Sequence, residues 1–309
     1  MAVQYIKDKH TDQYLTNFIQ RYRCDDDCSE FIAPSFKVKR PSDKYLIYGK
    51  ENFRVYDNKI VRREPIKEID VQADDSTYSC EEYGLAGFVY ERDQSNVDQP
   101  IRLMEEKSQH IKDRMIAARQ YRVFQIATNT ALIGSTAVAA AWASAAGTPV
   151  SDILGEMIII KDAICAAPNA IVMTYEVALT LIQTTEWKDY FKYTWGLKPS
   201  GDGLFDAVAG LRHLGLEPKI CDGRGVNTYE GCASDPTWET FLDDKVLIFK
   251  REPKPTTQSN CFMFSPMLYK DKVRKFWKDE ERGWKITIEE DIDELLVNAD
   301  AAHILDNVI

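Results

Sequence analysis

The stretch Ala166-Ala167-Pro168-Asn169-Ala170-Ile171-Val172-Met173-Thr174-Tyr175 lies between two runs of helical spacing, and its reading decides the fold. Upstream, Thr148-Pro149 is a cap followed by proline at the first helical position, and Ile153, Met157, Ile160 and Ile164 recur on one face of the helix that follows. Pro168-Asn169 turns a corner. Ala170 to Met173 is a short apolar run of buried-strand type, Thr174 caps a helix from Tyr175 to Gln183, and Thr185 opens another from Glu186 to Tyr193. Helix, corner, strand, helix is the grammar of an α+β or α/β domain.

Moving towards the C-terminus, a helix is expected from Leu204 to Leu214, ending at Gly215, with a strand Pro218 to Cys221 behind it. Val246 to Phe249 and Cys261 to Phe264 read as short buried strands, and Trp284 to Glu289 alternates as a strand should. Moving towards the N-terminus, Asp98 and Pro100 signal a helix start. The pattern runs from Ile101 towards Ile133, with Met104, Ile111, Met115, Ala118 and Tyr121-Arg122 near one-turn intervals. A continuous helix of that length spans roughly 45 Å and reads as a spine. Tyr45 to Tyr48 and Phe53 to Tyr56 look like strands, with a turn at Asp57-Asn58 before Lys59 to Val61. From Tyr45 to Arg92 there are too few apolar residues to cover both faces of such strands, so the segment needs a surface to lie against. Met1 to Lys44 is a polar arm with one short helix around Asp12 to Arg21.

The 309 residues are 44% hydrophobic and 28% charged, an ordinary globular composition long enough for a sizeable core. A formal net charge of −10 argues against a protein that wraps nucleic acid through phosphate neutralisation. Seven cysteines without repeating spacing, and no leader-like apolar run after Met1, point to reduced thiols in a cytoplasmic protein. The longest apolar stretch, Ala131 to Ala146, is too short and too weakly hydrophobic to span a membrane.

Motifs for chemistry are missing. There is no phosphate-binding loop, no dinucleotide fingerprint around Gly223-Arg224-Gly225, no nucleophile elbow and no H-E-x-x-H. His10, His110, His213 and His303 stand at no metal-ligand spacing. Cys24-Asp25-Asp26-Asp27-Cys28 mixes soft and hard ligands without a second pair, and reads as an acidic turn. Trp187, Tyr190, Phe191, Tyr193 and Trp195 crowd one helix and its exit, which packing against a core or a neighbour explains. No catalytic, cofactor-binding or metal residue is assigned.

Three stretches resemble one group of tailed-bacteriophage major capsid proteins: Asp43 to Tyr56 (DKYLIYGKENFRVY), Tyr78 to Leu85 (YSCEEYGL), and Asp152-Ile153 through Ala167 to Met173 to Lys192-Tyr193-Thr194. The order of parts is similar to the coat fold typified by phage Hong Kong 97, which encapsulin compartments share. That resemblance implies an α+β subunit with an N-terminal arm over 1–44, an extended loop over 45–96, a peripheral domain over 97–140 and 270–309 built on the spine helix, and an axial domain over 141–269.

It further implies a non-enzymatic coat protein that assembles with itself as pentamers and hexamers into an icosahedral shell around double-stranded DNA. The DNA would be contacted non-specifically, with a separate scaffolding protein and a portal as partners, no membrane and no cofactor. The place would be the virion capsid, assembled in the host cytoplasm. Arg54, Lys59, Arg62, Arg63 and Lys67 on the loop would meet acidic surface of an adjoining subunit. An encapsulin-like shell, and an enzyme with an unrecognised site, are the alternatives.

Overall fold

The computed structural model describes residues 12–21, 27–47, 73–96, 102–194, 208–226 and 238–309, together with 49, 52, 54–56, 58–59 and 68–69. Ala170 to Met173 forms strand β6 (Ala170–Met173), and it lies inside a five-stranded sheet. The order is β5 (Gly134–Ala137), β14 (Ala302–Asp306), β10 (Val246–Phe249), β6, β7 (Glu217–Ile220). β14 runs parallel to β5 and antiparallel to β10, β10 is antiparallel to β6, and β6 is parallel to β7. Every residue of β6 and β10 is buried, which requires cover on both faces and explains their unbroken apolar sequence.

The two covers are distinct. Ile171, Met173 and Ile248 face α5 (Pro149–Ile164), α6 (Tyr175–Gln183) and α7 (Thr185–Thr194), through Ile153, Ile160, Val177, Leu181 and Trp187. Ala170, Val172, Leu247 and Phe249 face the other way, into a core with Val123, Phe124, Ile133 and Phe262. Thr174 caps α6 by accepting from the Val177 amide, and Pro149 opens α5. The corner is fastened at Asn169, whose side chain donates to Arg251 O at 2.9 Å and accepts from Arg251 N at 2.6 Å.

A second sheet has the order β1 (Ser35–Lys37), β11 (Met263–Lys278), β12 (Gly283–Ile292), β4 (Glu81–Tyr90), with β13 (Leu295–Leu296) pairing to the start of β11. The spine helix α4 (Leu103–Ala127) packs on it with α1 (Gln13–Arg21) beside it, while α3 (Glu91–Asn96) follows β4. With 25 residues, α4 is about 37 Å long, shorter than the expected span. Its buried stripe is Ser108, Ile111, Lys112, Met115, Ile116, Arg119, Gln120, Val123, Phe124 and Ala127. Ile111 and Met115 are therefore in the core as expected, but Ala118 and Tyr121 are exposed. The face is shifted because Lys112, Arg119 and Gln120 occupy inward positions that a hydrophobic count assigns to solvent. Arg102 precedes the helix without a side-chain cap; the expected cap Asp98 lies outside the described residues.

Two small pairs complete the architecture: β2 (Ser42–Ile47) with β3 (Asp74–Ser79), and β8 (Arg224–Val226) with β9 (Trp238–Thr240). The expected strand at Phe53–Tyr56 is not formed over 54–56, and Asp57 and 60–67 lie outside the described residues. The expected helix ending at Gly215 is a 3-10 helix over Ala209–Leu214, and 204–207 lie outside the described residues. Gly215 takes a left-handed φ of 84°, as its role as a terminator demands.

The arm returns to the body twice. Through α1 it buries Leu15 and Ile19 against Val273, Ile286 and Ile288, and Asp12 N donates to Val273 O at 3.1 Å. At α2 (Ser29–Ile32) it enters the main core. There the expectation of reduced thiols fails: Cys28 and Cys221 form a disulfide across 193 residues, with Cα atoms 5.9 Å apart. An odd count leaves room for a bond, and tertiary packing, which spacing does not encode, brings the two together. Cys80, Cys165 and Cys261 are free.

Candidate assembly surface

The loop expected to carry the interface is rooted firmly at its base. Tyr45 on β2 and Tyr78 on β3 are buried with Phe264 and Val297, and the Phe264 ring meets Tyr45 at 5.6 Å and Phe36 at 5.2 Å between centroids. Lys44 pairs with Asp75 across the two strands, and Ser79 N donates to Asp293 Oδ2 at 2.9 Å. Arg54 and Lys59 are exposed, Tyr56 is half-exposed and Val55 is 99% exposed, so an aliphatic side chain stands with no cover from its own subunit. Arg62, Arg63 and Lys67 lie outside the described residues.

Other uncovered apolar groups escaped the sequence reading. On α5 the outer face carries Leu154, Ile158 and Ile159, with Ile158 58% exposed, while Ile153 and Ile160 point into the core. The signal was present: Ile153, Leu154, Met157, Ile158, Ile159 and Ile160 make this helix apolar on both sides, and a helix resting on a sheet needs only one apolar face. Trp238 on β9 is 71% exposed.

Beneath these surfaces, the spine is pinned by charge. Lys112 Nζ lies 2.5 Å from Asp271 Oδ1 and 3.7 Å from Glu290 Oε2, with all three side chains buried. Burial pushes the Glu290 carboxyl up, against the pull of Lys112 and Arg119. Arg119 donates to Glu30 at 3.0 Å and to Ala33 O at 3.2 Å, which fastens α2 to α4. Burial opposes the Glu30 charge, but Arg119 and two bonds from Ser35 outweigh it and bring its pKa down to about 2. Arg122 forks onto Glu294 at 2.8 and 3.1 Å and lies 3.7 Å over the Tyr83 ring. The network binds α4 to β4, β11, the segment after β12, and the arm.

The acidic knot has structural work in its described half. Asp27 accepts from Ser29 N at 3.0 Å and Ser29 Oγ at 2.6 Å, and Cys28 is in the disulfide; Cys24 to Asp26 lie outside the described residues. His303 Nδ1 on β14 lies 2.5 Å from Glu156 Oε2 on α5. Among the described residues no group of three potential ligands could hold a metal ion, and no helix is long and apolar enough to cross a membrane. A cavity of about 200 Å³ between β8, α6 and the chain end is lined by Glu176, Asp222, Arg224, Asp243 and Asp244. Asp222 there already caps α6, accepting from Tyr175 N at 2.9 Å.

This architecture recurs in solved structures. A phage-related protein from Bordetella bronchiseptica superposes with a TM-score of 0.73 at 19% identity, covering 97% of each chain. The capsid of the cyanophage P-SCSP1u gives 0.57 at 12% identity, over 89% of this chain and 86% of that one. The fold is the Hong Kong 97-like coat fold. The same coat fold appears in the encapsulin complex of Synechococcus elongatus, at 0.53 and 13% identity over 89% of this chain and 84% of that one. No family model and no curated protein sequence matches the chain.

Proposed function

We propose that this chain is the major capsid protein of a tailed bacteriophage, a non-enzymatic subunit that assembles as pentamers and hexamers into an icosahedral shell enclosing double-stranded DNA. The observation that carries the reading is the loop: its root is buried at Tyr45 and Tyr78 while Val55 is 99% exposed, an arrangement that a neighbouring subunit covering the loop would explain. Coat fold along the whole chain, and the bare apolar face of α5, support the same conclusion.

In this reading 1–44 is the arm, 45–96 the extended loop, 97–140 with 270–309 the peripheral domain and 141–269 the axial domain. The axial sheet then borrows β5 and β14 from the flanking segments. Arg54, Lys59, Arg62, Arg63 and Lys67 meet acidic surface on an adjoining subunit of a chain with net charge −10. A separate scaffolding protein and a portal complete the assembly, which takes place in the host cytoplasm and ends in the virion. DNA is touched without sequence preference.

The likeness to the Synechococcus encapsulin complex supports a second shell reading, a compartment around a cargo protein. Electron microscopy of the purified protein tests both. Closed particles with nuclease-protected DNA in native preparations are expected; closed particles holding a cargo protein favour the compartment. A monomer at every salt and scaffold condition refutes both.

A further inference from the structure

The disulfide between Cys28 and Cys221 is, among the described residues, the one covalent link between the arm and the α/β core. Its two ends are held differently. Cys221 is fixed by the sheet: it follows β7 directly, and its amide donates to Met173 O at 2.9 Å. Cys28 is the N-cap residue of a helix of four residues, too short to stand alone. Without the bond, α2 is held by Ile32 and Ala33 in the core and by the Arg119 contacts to Glu30 and Ala33. Both cysteines are fully shielded, at 0% and 1% exposure, so no external thiol or disulfide reaches either sulfur while α2 is docked.

We propose that Cys28 and Cys221 form a redox latch on the N-terminal arm, open as a dithiol in a reducing compartment and closed by glutathione disulfide once the surroundings are oxidising. The reaction needs α2 to lift. The Cys28 thiolate attacks one sulfur of glutathione disulfide and expels one glutathione thiolate, leaving a mixed disulfide. As α2 docks again, the Cys221 thiolate attacks the Cys28 sulfur, closes the latch and expels the second glutathione. Two protein thiols and one glutathione disulfide become one protein disulfide and two glutathione thiols, so electrons and protons balance. Once closed and buried, the bond is cut off from solvent reductant, and the arm is committed to its own subunit. The latch deepens the shell reading and rests on it for its purpose: the arm lifts and docks again while reduced, and is fixed when particles meet an oxidising medium.

The test uses the full chain, purified and assembled with reductant, then treated with glutathione disulfide or left reduced. Samples are denatured in N-ethylmaleimide and mapped by mass spectrometry, with thermal unfolding and microscopy in parallel. Oxidation is expected to remove two maleimide labels and to yield a linked peptide containing Cys28 and Cys221. The oxidised form should melt at least about 5 °C above the reduced form. Reduction of the closed form by glutathione should be on the order of ten-fold slower in native buffer than in urea. In C221S the redox dependence of Tm should vanish. Full labelling of both cysteines after oxidation, or equal Tm with the bond formed, overturns the latch. The wild-type comparison needs no variant, so a poorly folding C221S leaves it decisive. A latch that closes on a chain that never assembles keeps the latch and refutes the shell; shells that never close it do the reverse.

Discussion

At Lys112 the helix α4 carries an ammonium into the core, at a position that the hydrophobic pattern assigns to solvent. The fold accommodates it because Asp271, in a left-handed conformation at φ 52°, sits where β11 shifts register between Tyr269 and Lys272 and meets Lys112 at 2.5 Å. Replacing Lys112 by Met leaves Asp271 and Glu290 buried without their cation, and is expected to cost about 3–5 kcal/mol in denaturant unfolding at neutral pH. Burial raises the Glu290 carboxyl, and Lys112 offsets part of that rise. Without it that carboxyl protonates more readily, so the deficit should be smaller at pH 5 than at pH 8. Glu30 behaves oppositely. Its folded pKa of about 2 lies below the ordinary 4.5, so its stabilisation is complete above the ordinary value and is lost as pH falls towards 2. E30Q should lower Tm at pH 7 and converge with the wild type towards pH 2; a constant difference across that window would falsify the assignment. The Glu30 side chain is 38% exposed, so solvent screens the pair and the effect is modest. None of these partners was legible in sequence: Lys112 and Asp271 are 159 residues apart.

Among the elements, those written in period and cap chemistry were legible. α5, β6, α6 and α7 follow from Pro149, Thr174 and the apolar run between them, because each signal is local. β4 was not read as a strand, since Gly84 and Gly87 and a polar start lower its strand character. The reason for Gly87 is tertiary: a side chain there would come within 2.8 Å of Ile111 and 3.1 Å of Lys107 on α4. β5 and β14 went unread because Gly134–Ala137 is made of small residues and Ala302–Asp306 is short. The corrected face of α4 makes a paired prediction. I111D places a carboxylate among Leu15, Val89, Val273 and Ile286, and should cost about 3 kcal/mol or more and leave the chain insoluble. A118E, on the exposed side, should leave Tm within about 2 °C of the wild type. Equal solubility of the two variants would mean that the stripe is misplaced.

For the whole molecule, the proposed reading assigns folding to the root of the loop and association to its tip. Joining Phe53 to Ile66 through a Gly-Ser turn keeps β2, β3 and their buried tyrosines, so circular dichroism and Tm should stay near wild type while light scattering and microscopy show no closed particles. Shortened chains that still close into shells would strip the loop of its role. A different consequence follows from the place of β14. It is the last strand of its sheet in chain order, yet it lies between β5 and β10. During translation, therefore, β10 emerges with the edge of Val246 to Phe249 unpaired, and it waits until the ribosome has reached Asp306. An incomplete polypeptide exposes an apolar strand edge in place of a finished subunit. A stop codon in place of Ala302 should send the product to the pellet or to chaperones, while chains reading through to Ile309 stay soluble. Insertion of the last strand thus times completion of the sheet, and in the proposed shell it would sort out chains broken off early before a particle could incorporate them.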